Sequence, residues 1–424
     1  MKLNSLARTA ATLLLAAATY AAAQSSDKSR AEVFDAVVKT VSEQFYDPAF
    51  HGVSWTDVHA RYRARLGEVT SDVELQRLIE QMLGELKSSH LYVHRTVPGN
   101  SGVGLGARIE PVEGVDTVLE LAPLSDARAK GLKRGDRLVD GVSALNGPAG
   151  TVADVKVQRC DGSTTQLKIR RERWQFPLEH PGWRWSRIRI APDRIIGYIR
   201  IDRFDDGAAE LADQAMAELG RTQGLVIDVR SNSGGNISSM RLASYFMDGG
   251  AGFALLTRSY LQGLGRPVTA ADIASTPKVI GRYRGQDVAE ALTKGSGAAV
   301  FHFEDLGVKR YRAPVVVLVG PGTGSAGEGF AWAMKTRSNA RLVGTQSAGA
   351  LLSGEDFDIA PNWSLTVPVA GHWTPAGEAF NDKPVTPHEV VPETRADLCI
   401  ERDAGAERAV AILAGVSALA KESR

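Results

Sequence analysis

The sequence predicts an α/β protein whose core is a mostly parallel βαβ sheet, preceded by a helical N-terminal region and a small β-rich module. Three observations support this prediction: apolar residues recur at helical spacing early in the chain, short alternating strands follow, and strands then alternate with helices. With 424 residues, 43% hydrophobic and 23% charged, the chain has the composition of a globular protein of two or three domains.

Residues 1–23 have the pattern of a signal peptide. Lys2 and Arg8 give a positive start, an apolar run covers residues 10–23, and three alanines precede Gln24. The run is shorter than the roughly 20 residues that span a bilayer, and no cysteine follows that could carry a lipid. The pattern therefore predicts an exported protein, periplasmic or secreted, without a membrane span.

The charges of the chain are balanced, with 50 Lys and Arg against 49 Asp and Glu. Nucleic acid is not an expected partner, because the chain lacks the basic excess that neutralises phosphates. Cys160 and Cys399 have no further Cys or His at metal-ligand spacing, so no metal or other cofactor is expected. The sequence favours unlinked thiols over a disulfide and leaves both open.

The helical region is expected to cover residues 24–98. Apolar residues return every three or four positions from Val33 to Phe45 and again from Leu75 to Leu86. Ser71 and Glu74 have the spacing of a capping box at the start of the second periodic stretch. Two or more helices are therefore predicted.

The β-rich module is expected to cover residues 99–175. Short strands separated by glycine turns are predicted at residues 103–109, 117–121, 137–139, 152–159 and 165–171. The segments 104–107 and 129–138 resemble a PDZ domain, in which the first would be the carboxylate-binding loop. Only five residues separate Gly141 from Gly147, where a PDZ domain has a helix. The module is therefore predicted to be a reduced PDZ-like domain that binds peptides poorly or serves as a spacer or lid.

The α/β core is expected to cover residues 176–424. Strands are predicted at residues 195–201, 224–229 and 314–319, and helices at residues 208–219 and 325–336. In such sheets ligands bind beyond the carboxyl ends of the strands. Residues 249–308 match no recognised pattern and are long enough to form a lid or strap over that cleft.

The strongest chemical signal is at the end of the strand that covers residues 314–319. Glycines follow this strand, and Ser325 comes where the next helix begins. Amides at a helix start stabilise negative charge, and the N–H one residue on can donate to an oxyanion, so the position suits a nucleophile. The alternative is a helix cap in which Ser325 and Glu328 form a capping box.

A second loop with chemical potential follows the strand at residues 224–229. It contains Gly234 and Gly235, whose amides can face an anion. A phosphate-binding loop is the alternative, but no Gly-Lys-Ser/Thr step follows.

Together these loops resemble the tail-specific and tricorn-core serine peptidases, including the branch similar to interphotoreceptor retinoid-binding protein. Residues 228–235 resemble the Asp-x-Arg-x-Asn-x-Gly-Gly turn of that family, residues 324–328 its nucleophile segment, and residues 341–349 the strand and loop after it. The resemblance implies that Ser325 is the nucleophile. It assigns the oxyanion to the amide of Ala326 and to one amide of the Gly234-Gly235 turn. Arg230 and Asn232 are expected to brace this turn rather than contact substrate, and Asp228 is expected to hold the strand end.

The resemblance also concerns the general base. The tail-specific branch has a lysine about 25 residues after the serine, where this chain has Ala350. The tricorn-like branch has a histidine in a Ser-His pair, and residues 83–90 resemble that segment, so His90 is the candidate base with Ser89 beside it. A neutral imidazole can take the proton of a serine hydroxyl at neutral pH, whereas an unperturbed ammonium cannot. His372 and His388 are weaker alternatives.

A third group that orients the imidazole is expected. The resemblance implies a carboxylate at a position where this chain has Asn381. Asn381 and Glu378 are equal candidates for this role, and Asp382 ranks behind them. An asparagine can accept the imidazole N–H but adds no charge to support an imidazolium.

The sequence thus predicts an exported serine-type endopeptidase that cleaves peptide or protein substrates through an acyl-enzyme. The alternative from another class is a non-catalytic binding protein of the same fold that carries apolar ligands or peptide termini, which the asparagine at position 381 keeps open. Hydrolysis of small esters by the same residues is a third possibility. The oligomeric state does not follow from the sequence.

Overall fold

The computed structural model describes residues 30–96, 102–174 and 182–415. The predicted signal peptide lies outside the described residues. The chain forms two compact units, of which the first combines the residues up to Thr96 with Gly354–Ala370, and the second contains Val97–Ser353 and Gly371–Arg424. A membrane-spanning helix would need a longer apolar stretch than any helix within the described ranges offers.

The first unit begins with three helices and a strand, which are α1 (residues 30–44), α2 (Trp55–Arg63), α3 (Asp72–Gly84) and β1 (Tyr92–Arg95). The apolar stripes that predict α1 and α3 are buried, as expected for helices that share a core. The predicted capping box is confirmed: the Ser71 hydroxyl accepts the N–H of Glu74, and the Glu74 carboxylate accepts the N–H of Ser71.

The β-rich module consists of seven strands and one short helix, which are β2 (Val103–Gly104), β3 (Ala107–Val112), β4 (Val115–Leu121), α4 (Asp126–Ala129), β5 (Arg137–Leu138), β6 (Val152–Gln158), β7 (Thr164–Arg170) and β8 (Glu172–Arg173). Strands β3 to β7 form one antiparallel sheet in chain order, and β2 pairs with β8. The first predicted strand is divided at Gly106, whose φ is 67°. Between Gly141 and Gly147 the chain makes only a 3-10 turn, Val142–Leu145.

The remainder of the chain alternates strands and helices. In chain order the elements are β9 (Trp183–Ala191), β10 (Arg194–Ile201), α5 (Ala208–Leu219), β11 (Leu225–Asp228), α6 (Ser239–Ser244), β12 (Gly250–Thr257), α7 (Arg258–Leu264), α8 (Ala270–Ser275), β13 (Lys278–Val279), α9 (Gly285–Lys294), β14 (Ala298–Phe303), β15 (Val315–Val319), α10 (Ala326–Arg337), β16 (Arg341–Gly344), β17 (Ser353–Ala360), β18 (Trp363–Trp373), β19 (Glu389–Val390), α11 (Arg395–Cys399) and α12 (Ala404–Leu413).

The central sheet of the second unit has the strand order β19-β16-β15-β11-β10-β9. All neighbouring pairs are parallel except the edge pair β10–β9, so the predicted mostly parallel core is confirmed. Every residue of β15 is buried, because helices cover a parallel sheet on both faces. Helix α12 packs against apolar side chains of β10, β11, β15 and β16. The carboxyl ends of β11 and β15 therefore lie side by side at one edge.

The stretch without a recognised pattern, residues 249–308, is largely regular. It supplies β12, β13 and β14, of which β12 and β14 are antiparallel and β13 is parallel to β14. Strand β14 is almost entirely buried. Strands β12 and β14 therefore belong to the packed interior of the second unit, whereas α7 has no buried residue.

Two late strands complete the first unit. The antiparallel pairing of β1 with β18 places Tyr92 opposite Thr366 and Arg95 opposite Trp363, and β17 pairs with β18. The segment Gly354–Ala370 thus joins helices that precede it by more than 250 residues.

Cys160 and Cys399 are joined by a disulfide, with their Cα atoms 5.7 Å apart. The preference for unlinked thiols was wrong, because folding brings the turn after β6 against the end of α11, 239 residues later. Arg395 of α11 reinforces this contact by donating to the carbonyls of Gly135, Gln158 and Arg159. The module and the C-terminal helices are therefore covalently connected.

Replacing both cysteines by serine is expected to lower the free energy of unfolding by about 2–5 kcal/mol, because the cross-link restricts the unfolded chain. Urea unfolding measures the difference. The reductant tris(2-carboxyethyl)phosphine should lower the stability of the wild-type protein to the same extent and leave the double variant unaffected. Equal stability of the oxidised wild type and the double variant would contradict the prediction.

Candidate active site

The two loops singled out in the sequence are in contact in the second unit. Strands β11 and β15 pair in parallel with Asp228 opposite Leu318. Beyond the strand ends, the N–H of Gly324 donates to the carbonyl of Asn232 at 2.9 Å, and Thr323 Oγ1 donates to the carbonyl of Val229 at 2.8 Å. The serine loop and the glycine loop are therefore hydrogen-bonded directly to each other.

Ser325 has an unusual backbone conformation, with φ 48° and ψ −120°. A positive φ is strained for a residue with a side chain and persists only where the surroundings enforce it. Here the N–H of Ser325 donates to the carbonyl of Ala350 at 3.1 Å, and the Ser325 carbonyl accepts the N–H groups of Glu328 and Gly329. The Ser325 hydroxyl makes no capping hydrogen bond to the helix. The helix-cap alternative is therefore wrong, and the hydroxyl is not engaged by α10.

The candidate oxyanion donors lie next to Ser325. A Cβ added to Gly234 would lie 2.7 Å from Ser325 Cβ and 3.5 Å from the amide nitrogen of Ala326. The N–H of Gly234, however, already donates to Asn232 Oδ1 at 3.0 Å. Within the described part of the chain, the amides of Gly235 and Ala326 have no acceptor. The expectation that the Gly234 amide is a donor to the oxyanion is therefore wrong, and Gly234 is instead a close packing neighbour of Ser325. The amides of Gly235 and Ala326 remain as candidate donors.

Glycine is required at position 235 by its surroundings. A Cβ there would lie 2.0 Å from the carbonyl oxygen of Phe204, and φ is 131°. The same carbonyl accepts the N–H of Asn236, and the N–H of Phe204 donates to the carbonyl of Gly234. These bonds fix the turn against the segment after β10.

Asn232 braces the turn from inside. Its side chain is fully buried, and Nδ2 donates to the carbonyl of Ile201 while Oδ1 accepts the Gly234 N–H. A Cβ on Gly327 would lie 2.9 Å from Asn232 Oδ1. The first turn of α10 therefore packs directly on this asparagine.

Glu328 has a role that sequence reasoning missed. The sequence suggests a capping partner, but its fully buried carboxylate accepts hydrogen bonds from Ser347 Oγ at 2.5 Å, the Gly349 N–H at 2.6 Å and the Ala350 N–H at 2.7 Å. It thereby fixes the loop after β16, whose Ala350 carbonyl binds the N–H of Ser325. The sequence signal that could have indicated this role is the single acidic residue in the otherwise apolar stretch of residues 326–334.

Asp228 and Arg230 form a buried charge network behind the turn. The Arg230 guanidinium donates to both carboxylate oxygens of Asp228 and, in a second bidentate contact, to Asp403, while Tyr198 Oη donates to Asp228 at 2.7 Å. Burial alone would raise the pKa of Asp228, but the charge of Arg230 and the hydrogen bonds from Arg230 and Tyr198 hold it well below its ordinary value. These residues hold the strand end and brace the turn, as expected from the sequence.

Asp228→Asn is expected to lower the free energy of unfolding by about 3–5 kcal/mol at neutral pH, because one partner of a buried ion pair is lost. Because the pKa of Asp228 is depressed by folding, its contribution is complete above the unfolded value of about 3.9 and declines as the pH falls below it. Urea unfolding at several pH values measures this. Asp205→Asn, which breaks an exposed pair with Arg203, is the control and should cost at most about 1 kcal/mol. Equal losses in the two variants would contradict the prediction.

His90 and Ser89 lie in the first unit, in the segment between α3 and β1. Ser89 Oγ and His90 Nδ1 are 3.0 Å apart. His90 is half-buried and has φ 53°, again a strained value for a residue with a side chain. The buried side chains of Leu86 and Leu91 flank the segment. The structure thus holds this histidine in a defined conformation.

Three further histidines of the described chain, His51, His372 and His388, make structural contacts. His51 bridges Tyr46 Oη and the carbonyl of Leu86 within the first unit. His388 Nδ1 accepts the N–H of Leu342 at 2.9 Å, and burial together with the charges of Lys335 and Arg341 lowers its pKa. The His372 ring packs against Phe253 and Phe380.

The candidate orienting residues lie in the second unit, after β18. Asn381 Oδ1 accepts the backbone N–H of His372 at 2.5 Å. Glu378 is exposed in a turn in which its carbonyl accepts the N–H of Thr374. Asp382 follows with φ 50°. Their contacts in this unit show a tightly turned loop.

The loop that resembles a PDZ carboxylate-binding loop is covered by an aromatic ring. A Cβ on Gly106 would lie 2.5 Å from ring atoms of Trp174 and 2.8 Å from Ser125 Cβ. The N–H of Trp174 also donates to the carbonyl of Gly102.

Within the described residues, no group of three or more His, Cys, Asp or Glu side chains is arranged to hold a metal ion.

Comparison with known proteins gives two family matches. Residues 195–391 match peptidase family S41, and residues 26–84 match the Tricorn protease C1 domain. The carboxyl-terminal-processing protease of Synechocystis sp. is 25% identical over 415 residues, which covers 91% of this chain and 87% of that protein. Tricorn protease homolog 1 of Streptomyces coelicolor is 27% identical over 245 residues, and the match spans 49% of this chain and only 22% of that protein.

Solved structures show the same fold. The photosystem II D1 C-terminal processing protease superposes with a TM-score of 0.56 at 21% identity, covering 91% of this chain and 97% of that one. Mature CPAF gives a TM-score of 0.60 at 14% identity, with 90% and 97% coverage. At these identities the likeness concerns the fold alone.

Proposed function

We propose that this chain, which belongs to peptidase family S41 and carries a Tricorn protease C1 domain at residues 26–84, is a serine-type endopeptidase. Ser325 is the nucleophile, His90 the general base, and the amides of Ala326 and Gly235 the oxyanion donors. The observation that carries the proposal is the strained Ser325, whose hydroxyl does not cap its helix and which lies beside two amides without acceptors.

The reaction follows from these groups. Ser325 Oγ attacks the peptide carbonyl while its proton passes to His90, and the negative charge that develops on the carbonyl oxygen is stabilised by the two amides. The C–N bond then breaks, His90 gives the proton to the leaving amine, and an acyl-enzyme forms. Water, activated by the same imidazole, releases the acid and restores the serine.

Each open amide contributes to the rate. Removing a single preorganised donor of this kind typically raises the barrier by about 3 kcal/mol. The donors here belong to the backbone of a braced turn and of a helix start, so they need no reorganisation as the charge develops. Asn232 and Glu328 support them from behind through buried hydrogen bonds.

The contact between Ser89 and His90 is compatible with the tautomer that the mechanism requires. When Nδ1–H donates to Ser89 Oγ, the lone pair is on Nε2, which can then accept a proton. Asn381 and Glu378 are proposed, as equal candidates, to complete the orientation of the imidazole, with Asp382 behind them. Asn381 already accepts the N–H of His372, which favours Glu378 as the variant to test first.

Export to the periplasm or to the outside of the cell is proposed from the leader pattern of residues 1–23. The disulfide between Cys160 and Cys399 supports the proposal, because such bonds persist in oxidising compartments. Peptides and proteins are the proposed substrates. The names of the relatives, which include carboxyl-terminal-processing proteases, suggest cleavage near the carboxyl terminus of the substrate.

The proposal is tested by hydrolysis of casein or of unstructured peptides together with labelling by a fluorophosphonate, which reacts with activated serines. Turnover and labelling are expected in the wild-type protein. The alternative, a binding protein of the same fold, is indicated if peptides bind tightly and neither turnover nor labelling occurs. Small-ester hydrolysis without peptide cleavage would indicate the third possibility.

A further inference from the structure

The imidazole of His90 packs against a residue without a side chain. In the first unit, a Cβ added to Gly354 in β17 would lie 3.1 Å from both Cβ and Cδ2 of His90. These separations are shorter than ordinary van der Waals contacts between carbon atoms. Cδ2 is bonded to Nε2, the ring nitrogen that takes the proton in the proposed reaction. Gly354 therefore borders the reactive edge of the imidazole.

Thr366 is a second neighbour, and it limits how far Gly354 of β17 can move away from His90. The same added Cβ would lie 3.2 Å from Cγ2 of Thr366. Thr366 is 5% exposed, its hydroxyl donates to Asp356 Oδ1 at 2.5 Å, and it lies opposite Tyr92 in the β1–β18 pair. Its methyl group therefore has a fixed direction, and an extra carbon atom would be confined between Thr366 and His90.

We expect the imidazole of His90 rather than Thr366 to be displaced. The ring can turn about two side-chain bonds, and the contact with His90 Cβ needs a small shift of that residue, whereas Thr366 is fixed by its buried hydrogen bond and its strand pairing. Rotation of the ring would change its geometry relative to Ser89 and shift Nε2. Gly354 itself is exposed and has no positive φ, so a methyl group there disturbs neither its backbone nor a buried cavity.

We propose that Gly354 is a positioning residue that fixes the imidazole of His90 by leaving room for it. The proposal rests on the function proposed above, because it concerns the base of that reaction. Gly354 is also close in sequence to the loop that holds the Ser325 backbone. Ala350, whose carbonyl binds the N–H of Ser325 and whose N–H binds Glu328, precedes Gly354 by only four residues.

The test is Gly354→Ala, assayed for peptide hydrolysis. We expect kcat to fall about 10- to 100-fold with KM within about twofold of the wild-type value, because a displaced base slows the chemical step and leaves substrate binding intact. The matched control is Gly84→Ala in α3 of the same unit, where an added Cβ would have no atom within 4 Å. This control should retain wild-type kcat.

A second substitution separates positioning from a general structural effect. In Gly354→Ala/Thr366→Ser, the methyl group at position 366 is gone and its hydroxyl is kept, so the added carbon atom has space away from His90. Relative to Thr366→Ser alone, the double variant should lose less than about threefold in kcat. Expressing kcat per serine labelled at completion removes unfolded chains from the comparison.

The outcomes separate the two proposals. A wild-type protein that neither hydrolyses peptide nor takes up label overturns both. If the wild type does both and Gly354→Ala retains its kcat, only the positioning role is overturned. A loss of kcat that Thr366→Ser leaves unrelieved also overturns it, because the contact described here is then not its cause.

Discussion

Ser325→Ala is expected to lower kcat for peptide hydrolysis by about 10⁶-fold, to leave KM nearly unchanged and to abolish labelling by a fluorophosphonate. The variant removes the only atom that forms the covalent bond in the proposed reaction, while the amides of Ala326 and Gly235 keep their places. The residual rate would therefore be that of substrate held near an intact oxyanion site. Ser338→Ala, at the other end of the same helix, is the control and should be active.

The strained backbone adds a second readout for this position. With φ at 48°, Ser325 has a conformation that glycine adopts at little cost. Ser325→Gly is therefore expected to be inactive and yet to raise the free energy of unfolding by about 1 kcal/mol. A serine that lowers stability relative to glycine at the same position, and is needed for activity, is retained for its function. Retained labelling in either variant would contradict the assignment of the nucleophile.

Local patterns in the sequence predict several of the regular elements, including those that carry the two loops of the candidate site. Helix α5 was predicted with the bounds observed, and the strands β10, β11 and β15 within one or two residues, because their apolar spacing is a property of consecutive positions. The parallel arrangement followed from the alternation of strands and helices. The capping box at Ser71 followed from two residues three apart.

Features that depend on distant pairings were beyond such patterns. The disulfide joins residues 239 positions apart, and no local signal gives their separation in space. Glu328 satisfies the spacing of a capping box with Ser325, but its carboxylate binds the loop at residues 347–350 instead. The crowding between Gly354 and His90 arises because β17 follows α3 by more than 250 residues and still joins the same unit.

The correction at Gly234 has the same origin. Consecutive glycines suggest two equivalent amides, and sequence cannot distinguish them. The structure does so because Asn232, two residues earlier, folds back and accepts the first N–H. The glycine is still needed, since any side chain would meet Ser325 Cβ. One amide thus fixes the turn, and the next has no acceptor within the described chain.

His90→Ala is the other change with a large expected effect, a fall in kcat of about 10⁴- to 10⁶-fold with little change in KM. In the proposed reaction the imidazole takes the proton of the Ser325 hydroxyl at neutral pH, and alanine at position 90 cannot do so. The rate of fluorophosphonate labelling should fall in parallel. His94→Ala is the matched control. This histidine of β1 is exposed, and its ring has an edge-on contact with Tyr92.

The double variant Ser325→Ala/His90→Ala gives the sharper test. When two residues act as one unit, the effects of their substitutions on the activation free energy do not add. Once the serine is gone, the base has no proton to accept, so the double variant should be no slower than Ser325→Ala alone. Losses that multiply would mean that the two residues act independently. A kcat within tenfold of wild type for His90→Ala would transfer the role of base to another group, for which His372 and His388 are the next variants to measure.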